Sequence, residues 1–322
     1  MSSKKHNLSA LSGLELQLAY NSLLKLKKSI VYEESPEEEG SSEDFEQQVD
    51  AMLSLLGSKL EGPQSLTFSS MTAEHLTKLK IISTGFIDLK PNFEERIAAT
   101  AALGQSELWS SANLYRQLHL LESLVPRTTK ASARAWIDAF FFRASAMLSP
   151  NKCMVLNMEH VFPATTISPS SLSTLSGFVD YTAIVASQRI AAILLRSPQL
   201  HVLRSHMPSG FFVIEVKLSD PSDYVPQAVC DMYACGKLLQ KKVLRGALTN
   251  GHDWIFLLIK LNDNYDGAFY NQSSVVQLST TRSPDGQLVI PKPWPDLIAG
   301  ILAYWIENGF EDLRSDDWFE GG

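Results

Sequence analysis

Apolar residues recur at the spacing of an amphipathic helix through the first part of the chain, up to Pro126. Leucines three and four positions apart mark these stretches, and glycines or prolines separate them. The spacing predicts helices at Leu8–Ser29, Phe45–Lys59, Ala73–Ser83, Phe93–Leu103 and Ser106–Leu124. This part of the chain is therefore predicted to be mostly helical, and we recognise no catalytic motif in it.

Beyond Pro126 the pattern changes to short, strongly apolar runs with the length of buried strands, which alternate with helical stretches. The predicted helices are Ser132–Leu148, Ile190–Leu195, Tyr224–Lys241 and Pro295–Phe310. The predicted strands are Lys152–Phe162, Gly177–Ala186, Phe211–Lys217, Val243–Leu248 and Trp254–Leu261. This order predicts an α/β core in which helices cover a central sheet.

These patterns divide the chain into predicted segments. An N-terminal helix (1–31) is followed by an acidic linker (32–44), whose run of Glu, Asp and Ser is typical of disorder. A helical region (45–126), the α/β core (127–290) and a C-terminal helix with an acidic tail (291–322) follow. The helical region could cover the core, form oligomers or bind a protein partner.

Charge is distributed unevenly around a net value of −7. Glu33 to Asp50 carries nine acidic residues and no basic one, whereas Arg127 to Asn250 holds thirteen Lys and Arg against seven Asp and Glu. The overall acidity argues against a polyanionic partner, but the basic middle permits contacts with phosphates. The same charges would equally fit a scattered, solvated surface.

The chain carries neither an apolar stretch long enough to span a membrane nor the uninterrupted apolar segment of a secretory signal. Its three cysteines, Cys153, Cys230 and Cys235, form no C-x-x-C pair. Reduced thiols in an intracellular protein, cytoplasmic or nuclear, are therefore expected. Motifs for nucleotide-binding phosphate loops, dinucleotide binding, zinc proteases and serine hydrolases are absent from the sequence.

Two of the apolar strands contain an acid where a hydrocarbon side chain would fit at lower energy. Asp180 interrupts one run, and Glu215 with Lys217 closes another. Strand alternation places Glu215 and Lys217 on one face, with Val216 between them pointing away. Buried carboxylates are normally paired or hold a metal. Asp180, Glu215 and the Val216 carbonyl would suit Mg²⁺, and Lys217 would then lie beside a metal-bound water.

This arrangement resembles the PD-(D/E)xK, or restriction-endonuclease-like, nuclease superfamily. Asp180 stands on one strand, Glu215-Val216-Lys217 on the next, and Gln227 at the start of the following helix. The resemblance implies a restriction-endonuclease-like core, with a mixed central sheet flanked by helices. It further implies metal ligation by Asp180 and Glu215, and water activation or charge stabilisation by Lys217. Gln227 corresponds to a glutamine that some branches of the superfamily carry in that helix.

More narrowly, residues 131–262 are similar to nuclease-like domains of multicopy fungal proteins. Val179 stands where the superfamily's name expects Pro, and the acid usually supplied by the preceding helix is not obvious. Asp138 and Glu159 are the candidates for that acid. For Asp138 the alternative is a helix-surface pair with Arg134, four residues earlier.

The sequence thus predicts a metal-dependent nuclease, a hydrolase that uses Mg²⁺ or Mn²⁺ on nucleic acid, with DNA preferred to RNA. The candidate phosphate contacts are basic residues of the core: Arg189, Arg196, Arg204, Lys241, Lys242 and Arg245. The alternative is a catalytically silent nuclease fold that serves as an effector-like or interaction module. In a mixed case, the acidic run Glu33–Asp50 would mimic nucleic acid and occupy the basic face.

Overall fold

The computed structural model describes residues 18–27, 49–50, 52–53, 56, 65–105, 108–166, 174–282, 284 and 288–322. Contacts divide the chain into two units, one of residues 1–65 and 168–174, the other of residues 66–167 and 175–322. In the first unit, residues 18–27 are helical, and Lys27 Nζ donates to Asp50 Oδ2 across 2.7 Å. The predicted acidic linker, 32–44, lies outside the described residues.

The second unit contains the helices and strands that build the candidate site. Its helices are α1 (Ala73–Lys78), α2 (Phe93–Ala101), α3 (Ser111–Leu124), α4 (Lys130–Ser145), α5 (Gln188–Leu194), α6 (Leu200–His206), α7 (Val225–Leu239) and α8 (Trp294–Glu307). Short 3-10 turns also occur at Phe68–Ser70 and Pro221–Tyr224. Most α-helices predicted from the sequence are present here, with ends shifted by a few residues.

The strands are β1 (Ser65–Thr67), β2 (Ile81–Leu89), β3 (Lys152–Thr166), β4 (Thr174–Ser187), β5 (Gly210–Val216), β6 (Val243–Thr249), β7 (Asp253–Leu261), β8 (Ala268–Ser273), β9 (Val276–Gln277), β10 (Thr281–Arg282), β11 (Leu288–Val289) and β12 (Phe319–Gly321). Among the described residues, ten of them form one sheet in the order β1-β4-β5-β6-β7-β8-β2-β12, with β3 beside β4 and β9 beside β7. β10 and β11 form a separate pair. The sheet is mixed, because β5–β6 and β2–β8 are parallel while β4–β5, β6–β7 and β7–β8 are antiparallel.

Helices pack on both faces of the sheet, so the fold is α/β. On one face, Phe140 of α4 and Trp305 of α8 belong to a core that includes alternate positions of the central strands. These strand positions include Phe212, Ile214 and Phe256. On the other face, α7 packs against the intervening positions, including Phe211, Val213, Leu244, Leu257 and Ile259. Alternation along a strand explains how β5 can be buried throughout and still serve two cores.

Close packing of α7 on the sheet depends on a glycine. A Cβ placed on Gly236 would lie only 2.7 Å from a Leu244 methyl carbon and 2.9 Å from one of Leu261. The absent side chain therefore lets the helix backbone approach β6 and β7.

The prediction of a mostly helical region at 45–126 is wrong in one important part. The predicted helix Ala73–Ser83 ends at Lys78, and Ile81–Leu89 forms β2, which pairs in parallel with β8. Lys80 takes a left-handed φ of 56° at the junction, which ends the helical path. The region contributes a strand of the main sheet and is therefore part of the core.

The C-terminal segment also differs from the prediction of a helix followed by an acidic tail. After α8 the chain returns to the sheet, where β12 pairs antiparallel with β2, Phe319 opposite Leu89. Phe319 and Trp318 are buried, and Asp317 is buried with them. Within the described part of the chain, no helix combines the length and apolar character that a membrane span needs.

Candidate functional site

Asp180 and Glu215 lie opposite each other on the paired strands β4 and β5. The antiparallel register joins Tyr181 to Ile214, so Asp180 and Glu215 are the next facing positions. Facing residues of an antiparallel pair have Cβ atoms about 5 Å apart. Both acids are buried, with 5% and 2% of their surface exposed. The strand pairing therefore brings together two acids that are far apart in sequence.

Three donors surround the Asp180 carboxylate. The backbone N–H of Val216 donates to Oδ2 across 2.9 Å, which links the acid to the neighbouring strand. Lys130 Nζ lies 2.7 Å from Oδ2, and Arg134 Nη2 lies 3.0 Å from Oδ1. Lys130 and Arg134 are one turn apart on α4, so their side chains project from the same side of the helix.

Glu215 is held on one of its two oxygens. Its Oε1 accepts from the Gln227 side-chain amide across 2.6 Å and lies 3.0 Å from Lys217 Nζ. Its Oε2 is buried and, within the described residues, has no hydrogen-bonding partner. One carboxylate oxygen is thus committed to fixing the side chain, and the other is buried without a partner in the described part of the chain.

Lys217 follows directly after β5 and turns back towards the acid. Its Nζ donates to Gln227 Oε1 across 2.7 Å and lies 4.6 Å from the centre of the Tyr224 ring. Its backbone N–H donates to the Thr249 carbonyl on β6 across 2.9 Å, which extends the parallel pairing past the strand end. The ammonium group is therefore positioned by a hydrogen bond, an ion pair and an aromatic face.

Asp231 is a site residue that the sequence reasoning did not propose. It lies on α7 one turn after Gln227, is completely buried, and neither of its carboxylate oxygens has a hydrogen-bonding partner among the described residues. Burial, together with the charges of Glu215 and Asp180, raises its pKa well above the ordinary value. In the sequence, Asp231 could have been recognised as a candidate because it is an acid between Cys230 and Met232 in an otherwise apolar helix.

The pKa of Glu215 is also raised, first by burial and then by the negative charge of Asp180, while Lys217 opposes the change. Two adjacent buried carboxyl groups cannot both ionise easily, because each charge disfavours the other. Glu215 and Asp231 are close enough to share a hydrogen bond when one of them is protonated. Burial and the neighbouring negative charges therefore favour the protonated form in the Glu215–Asp231 pair.

The two candidates for a further acid do not join this cluster directly. Asp138 Oδ1 accepts from the Tyr181 hydroxyl across 2.9 Å, and burial raises the pKa of this carboxyl. Glu159, at a left-handed φ of 53°, lies 2.8 Å from Arg134 Nη1 and is mostly exposed. The predicted i, i+4 pair of Asp138 with Arg134 is not formed as an ion pair, since Arg134 reaches Glu159 and Asp180 instead.

The basic residues predicted to contact phosphates lie in different environments. Arg245 contradicts the expectation: it is fully buried, forms an ion pair with Asp317 at 2.6 Å, and donates to the carbonyls of Glu311 and Asp312. Lys242 Nζ pairs with exposed Asp263 at 2.6 Å. The half-buried or exposed remainder of the set comprises Lys241, whose Nζ lies 4.6 Å from the Phe310 ring centre, and Arg189, Arg196 and Arg204. Contact of these four residues with phosphates remains a prediction.

The donor atoms of the site suit a hard cation, although the cluster is small. Among the described residues, no group of three or more His, Cys, Asp and Glu is arranged to hold a metal. Asp180 and Glu215 supply carboxylate oxygens, and Oε2 of Glu215 is without a partner. Mg²⁺ usually takes only one or two carboxylates from a protein and completes its octahedron with water and phosphate oxygens. The residues present fit such a cation.

The chain matches no protein-family model and no curated protein.

Proposed function

We propose that this protein is a nuclease-type phosphodiesterase that uses Mg²⁺ or Mn²⁺, built on a restriction-endonuclease-like core. The observation that carries the proposal is one continuous set of contacts at the end of β5. In it, Gln227 joins Glu215 to Lys217, and the backbone of Val216 joins β5 to Asp180. Glu215, Lys217 and Gln227 lie within hydrogen-bonding distance of one another, and Asp180 binds the backbone between Glu215 and Lys217, which would group the acids and the lysine for cleavage of a phosphodiester.

Asp180 and Glu215 would hold the cation, and the Val216 carbonyl is the third candidate ligand. A bound Mg²⁺ would polarise a phosphoryl oxygen and lower the pKa of a water molecule. The partnerless Oε2 of Glu215 supports this assignment, because a buried carboxylate oxygen without a donor is unfavourable unless a cation or proton binds it.

The chain's own side chains would position the substrate. Lys217 Nζ, fixed by Gln227 Oε1, places a positive charge beside the acids, where it would stabilise charge developing on a phosphate. Lys130 and Arg134 hold two more charges at the Asp180 end of the site, with 43% and 26% of their side chains exposed. Their partial exposure leaves them accessible to a phosphate arriving from solvent.

One observation favours a second candidate, a catalytically silent nuclease fold that acts as an interaction module. Lys130 and Arg134 already contact both oxygens of Asp180, and Lys217 already neutralises Glu215. The charges of the site are thus balanced by protein groups, as they would be in a scaffold that has given up its cation.

A cleavage assay separates the two candidates. Plasmid DNA, single-stranded DNA and RNA are incubated with the full chain in Mg²⁺, in Mn²⁺ and in EDTA. The wild type is compared with Asp180→Ala, Glu215→Gln and Lys217→Met, and with Asp263→Asn as a control that removes an exposed acid far along the chain. Cleavage that needs the cation and falls at least about 100-fold in all three site variants supports the enzyme.

Two results would refute the proposal. Equal background cleavage by wild type and the three site variants would show that the site is not catalytic. Cleavage that persists in EDTA would show that no divalent cation is used. In either case, the balanced charges around Asp180 would favour the scaffold.

A further inference from the structure

The chain between Tyr181 and Ile214 carries no acidic residue, although it contains three arginines and two histidines: Arg189, Arg196, Arg204, His201 and His206. It forms the end of β4, the helices α5 and α6, and the first part of β5. The three arginines are exposed, and among the described residues none of them pairs with an acid. Their charges are therefore available to an anionic ligand.

A cavity of about 510 Å³ lies between this segment and the strand β3. His201 and Arg204 supply part of its wall; they are three residues apart on α6 and project from one side of the helix. Val161 of β3 and Leu238 of α7 supply apolar surface. The volume falls within the range of about 300–1,000 Å³ that is usual for small-ligand sites, which combine apolar walls with a few polar groups.

The strand β3 presents three consecutive side chains to this cavity. Residues next to each other on a regular strand point to opposite faces, whereas Glu159, His160 and Val161 all line the cavity. The left-handed φ of 53° at Glu159 breaks the alternation. Arg134 pairs with Glu159, the one acid among the described residues of the lining, and also contacts Asp180. The cavity wall is therefore electrically balanced and is connected to the candidate site.

The polar side chains of the lining are within reach of a ligand. Asn157 is half-buried, and Gln199 and His201 are exposed. The Ser197 hydroxyl donates to Oε1 of Gln199, which leaves the amide Nε2 of Gln199 to donate to another group. The three side chains thus offer hydrogen-bond donors and acceptors beside apolar surface.

We propose that this cavity holds one unstacked nucleotide of the nucleic-acid strand, with the base against Val161 and Leu238 and a phosphate on Arg204. A base has two apolar faces and hydrogen-bonding edges, which match the apolar walls and the polar side chains beside them. A purely hydrocarbon ligand would cover those polar side chains without hydrogen bonds, which is unfavourable. The planar guanidinium of an arginine suits a phosphate. The inference rests on the proposed function for the identity of the ligand as nucleic acid.

The test measures binding without cleavage. A fluorescein-labelled oligothymidylate of about 12 nucleotides, a usual length for a single-strand site, is titrated with the full chain in EDTA and followed by fluorescence anisotropy. A strand of the same length built from abasic deoxyribose units is titrated in parallel. The base-containing strand is expected to bind at least about 5-fold tighter, the low end of what contact with one base contributes.

Val161→Glu tests the place of the base. Val161 is 61% exposed, so the substitution leaves the core unchanged. Binding of the oligothymidylate should weaken at least about 5-fold, because a carboxylate would occupy the position of the base. Met158→Glu is the matched control, since Met158 is an exposed residue of the same strand that does not line the cavity. It should leave the affinity unchanged.

Arg204→Gln tests the phosphate contact. The slope of the logarithm of the binding constant against the logarithm of salt concentration should become shallower by about 0.7, the contribution of one phosphate contact on a single strand. Arg116→Gln is the control, since Arg116 is an exposed arginine of α3, whose buried leucines belong to the core on the other face of the sheet. It should leave the slope unchanged.

Four results would overturn the inference: absence of saturable binding, equal affinity for the abasic strand, equal affinity of Val161→Glu and Met158→Glu, or an unchanged slope in Arg204→Gln. These results are separable from those of the cleavage assay. Binding that depends on Val161 and Arg204 in a protein that cleaves nothing would keep the nucleotide cavity and remove the nuclease. Cleavage by a protein whose binding depends on neither residue would keep the nuclease and remove the cavity's assignment.

Discussion

The side-chain amide of Gln227 donates to Oε1 of Glu215 across 2.6 Å, so the first full turn of α7 directly orients a carboxylate on β5. The same amide's carbonyl accepts from Lys217. A glutamine is suited to this place because it can donate to an acid and accept from an ammonium group at once. The contact makes the position of Lys217 depend on a helix as well as on its own strand.

In the proposed nuclease, replacing Gln227 with alanine should lower activity about 10- to 100-fold, the usual effect of removing a group that orients a metal ligand, which is the role proposed for Glu215. Lys217 and Glu215 would keep their ion pair but lose the group that fixes both. The kcat and KM for cleavage of a single-stranded oligonucleotide measure the effect, and we expect the loss mainly in kcat.

Gln240→Ala is the matched control, since Gln240 is an exposed glutamine just beyond the other end of α7. It should leave kcat unchanged. A Gln227→Ala variant with wild-type kcat would show that Lys217 and Glu215 are positioned by their strand alone.

Asp231 should make the protein less stable as pH rises. Its pKa is raised in the folded state by burial and by the charges of Glu215 and Asp180. Above the ordinary value of 3.8, the unfolded chain has already released this proton while the folded chain still holds it. The free energy of unfolding then falls with pH, by about 1.4 kcal/mol per pH unit for one proton, until the raised folded pKa is passed.

Asp231→Asn removes that proton while keeping the size of the side chain. We expect the variant to have a higher free energy of unfolding than wild type at pH 8 and a flatter dependence on pH between 5 and 8. Urea unfolding at a series of pH values measures both. Parallel pH profiles for the two proteins would mean that Asp231 does not hold a proton in the folded state.

Lys130 and a bound cation would compete for Asp180, because the ammonium group lies 2.7 Å from Oδ2. Lys130→Met should therefore tighten Mn²⁺ binding by up to about 5-fold, the equivalent of a partly exposed ion pair of roughly 1 kcal/mol. Calorimetric titration with Mn²⁺ measures the change. Lys152→Met is the control, since Lys152 pairs with Glu307 instead; tightening by both variants alike would point to a general charge effect.

Breaking the ion pair between Arg245 and Asp317 should strongly destabilise the protein, since both side chains are completely buried. Asp317→Asn leaves the Arg245 guanidinium without its counter-charge and should lower the free energy of unfolding by about 3–5 kcal/mol. Chemical unfolding measures this loss. Asp263→Asn, which breaks the exposed pair with Lys242, should leave the unfolding midpoint unchanged; equal midpoints for all three proteins would contradict the role assigned to Arg245.

Much of the α/β arrangement could be predicted because its elements have strong local patterns. The run from Phe211 to Val216 is apolar except for Glu215 and became a fully buried strand, and the apolar residues of α7 form the face that packs on it. Asp180, Glu215 and Lys217 could be selected because a charge in such a run is unfavourable unless it has a partner. The structure places partners beside each of them.

Other parts depended on contacts between distant segments. Ile81–Leu89 has exposed Ile82 and Phe86 and no regular alternation, so its strand is defined by pairing with β8 rather than by its own pattern. Asp231 lies in a helix whose other residues are mostly apolar, a pattern that indicates packing rather than a functional site. Arg245 could be recognised as buried only through Asp317, which lies more than seventy residues away.

The parallel pairing of β2 with β8 has a practical consequence for dissecting the molecule. A fragment trimmed to residues 127–290 would strip β2 and β12 from the sheet and leave the backbone groups of β8 open along one side. Such an edge recruits strands from other molecules, so the fragment should precipitate. It would also lose Asp317 and leave Arg245 without its counter-charge. Expression work should therefore retain the sequence from before Ile81 through Phe319.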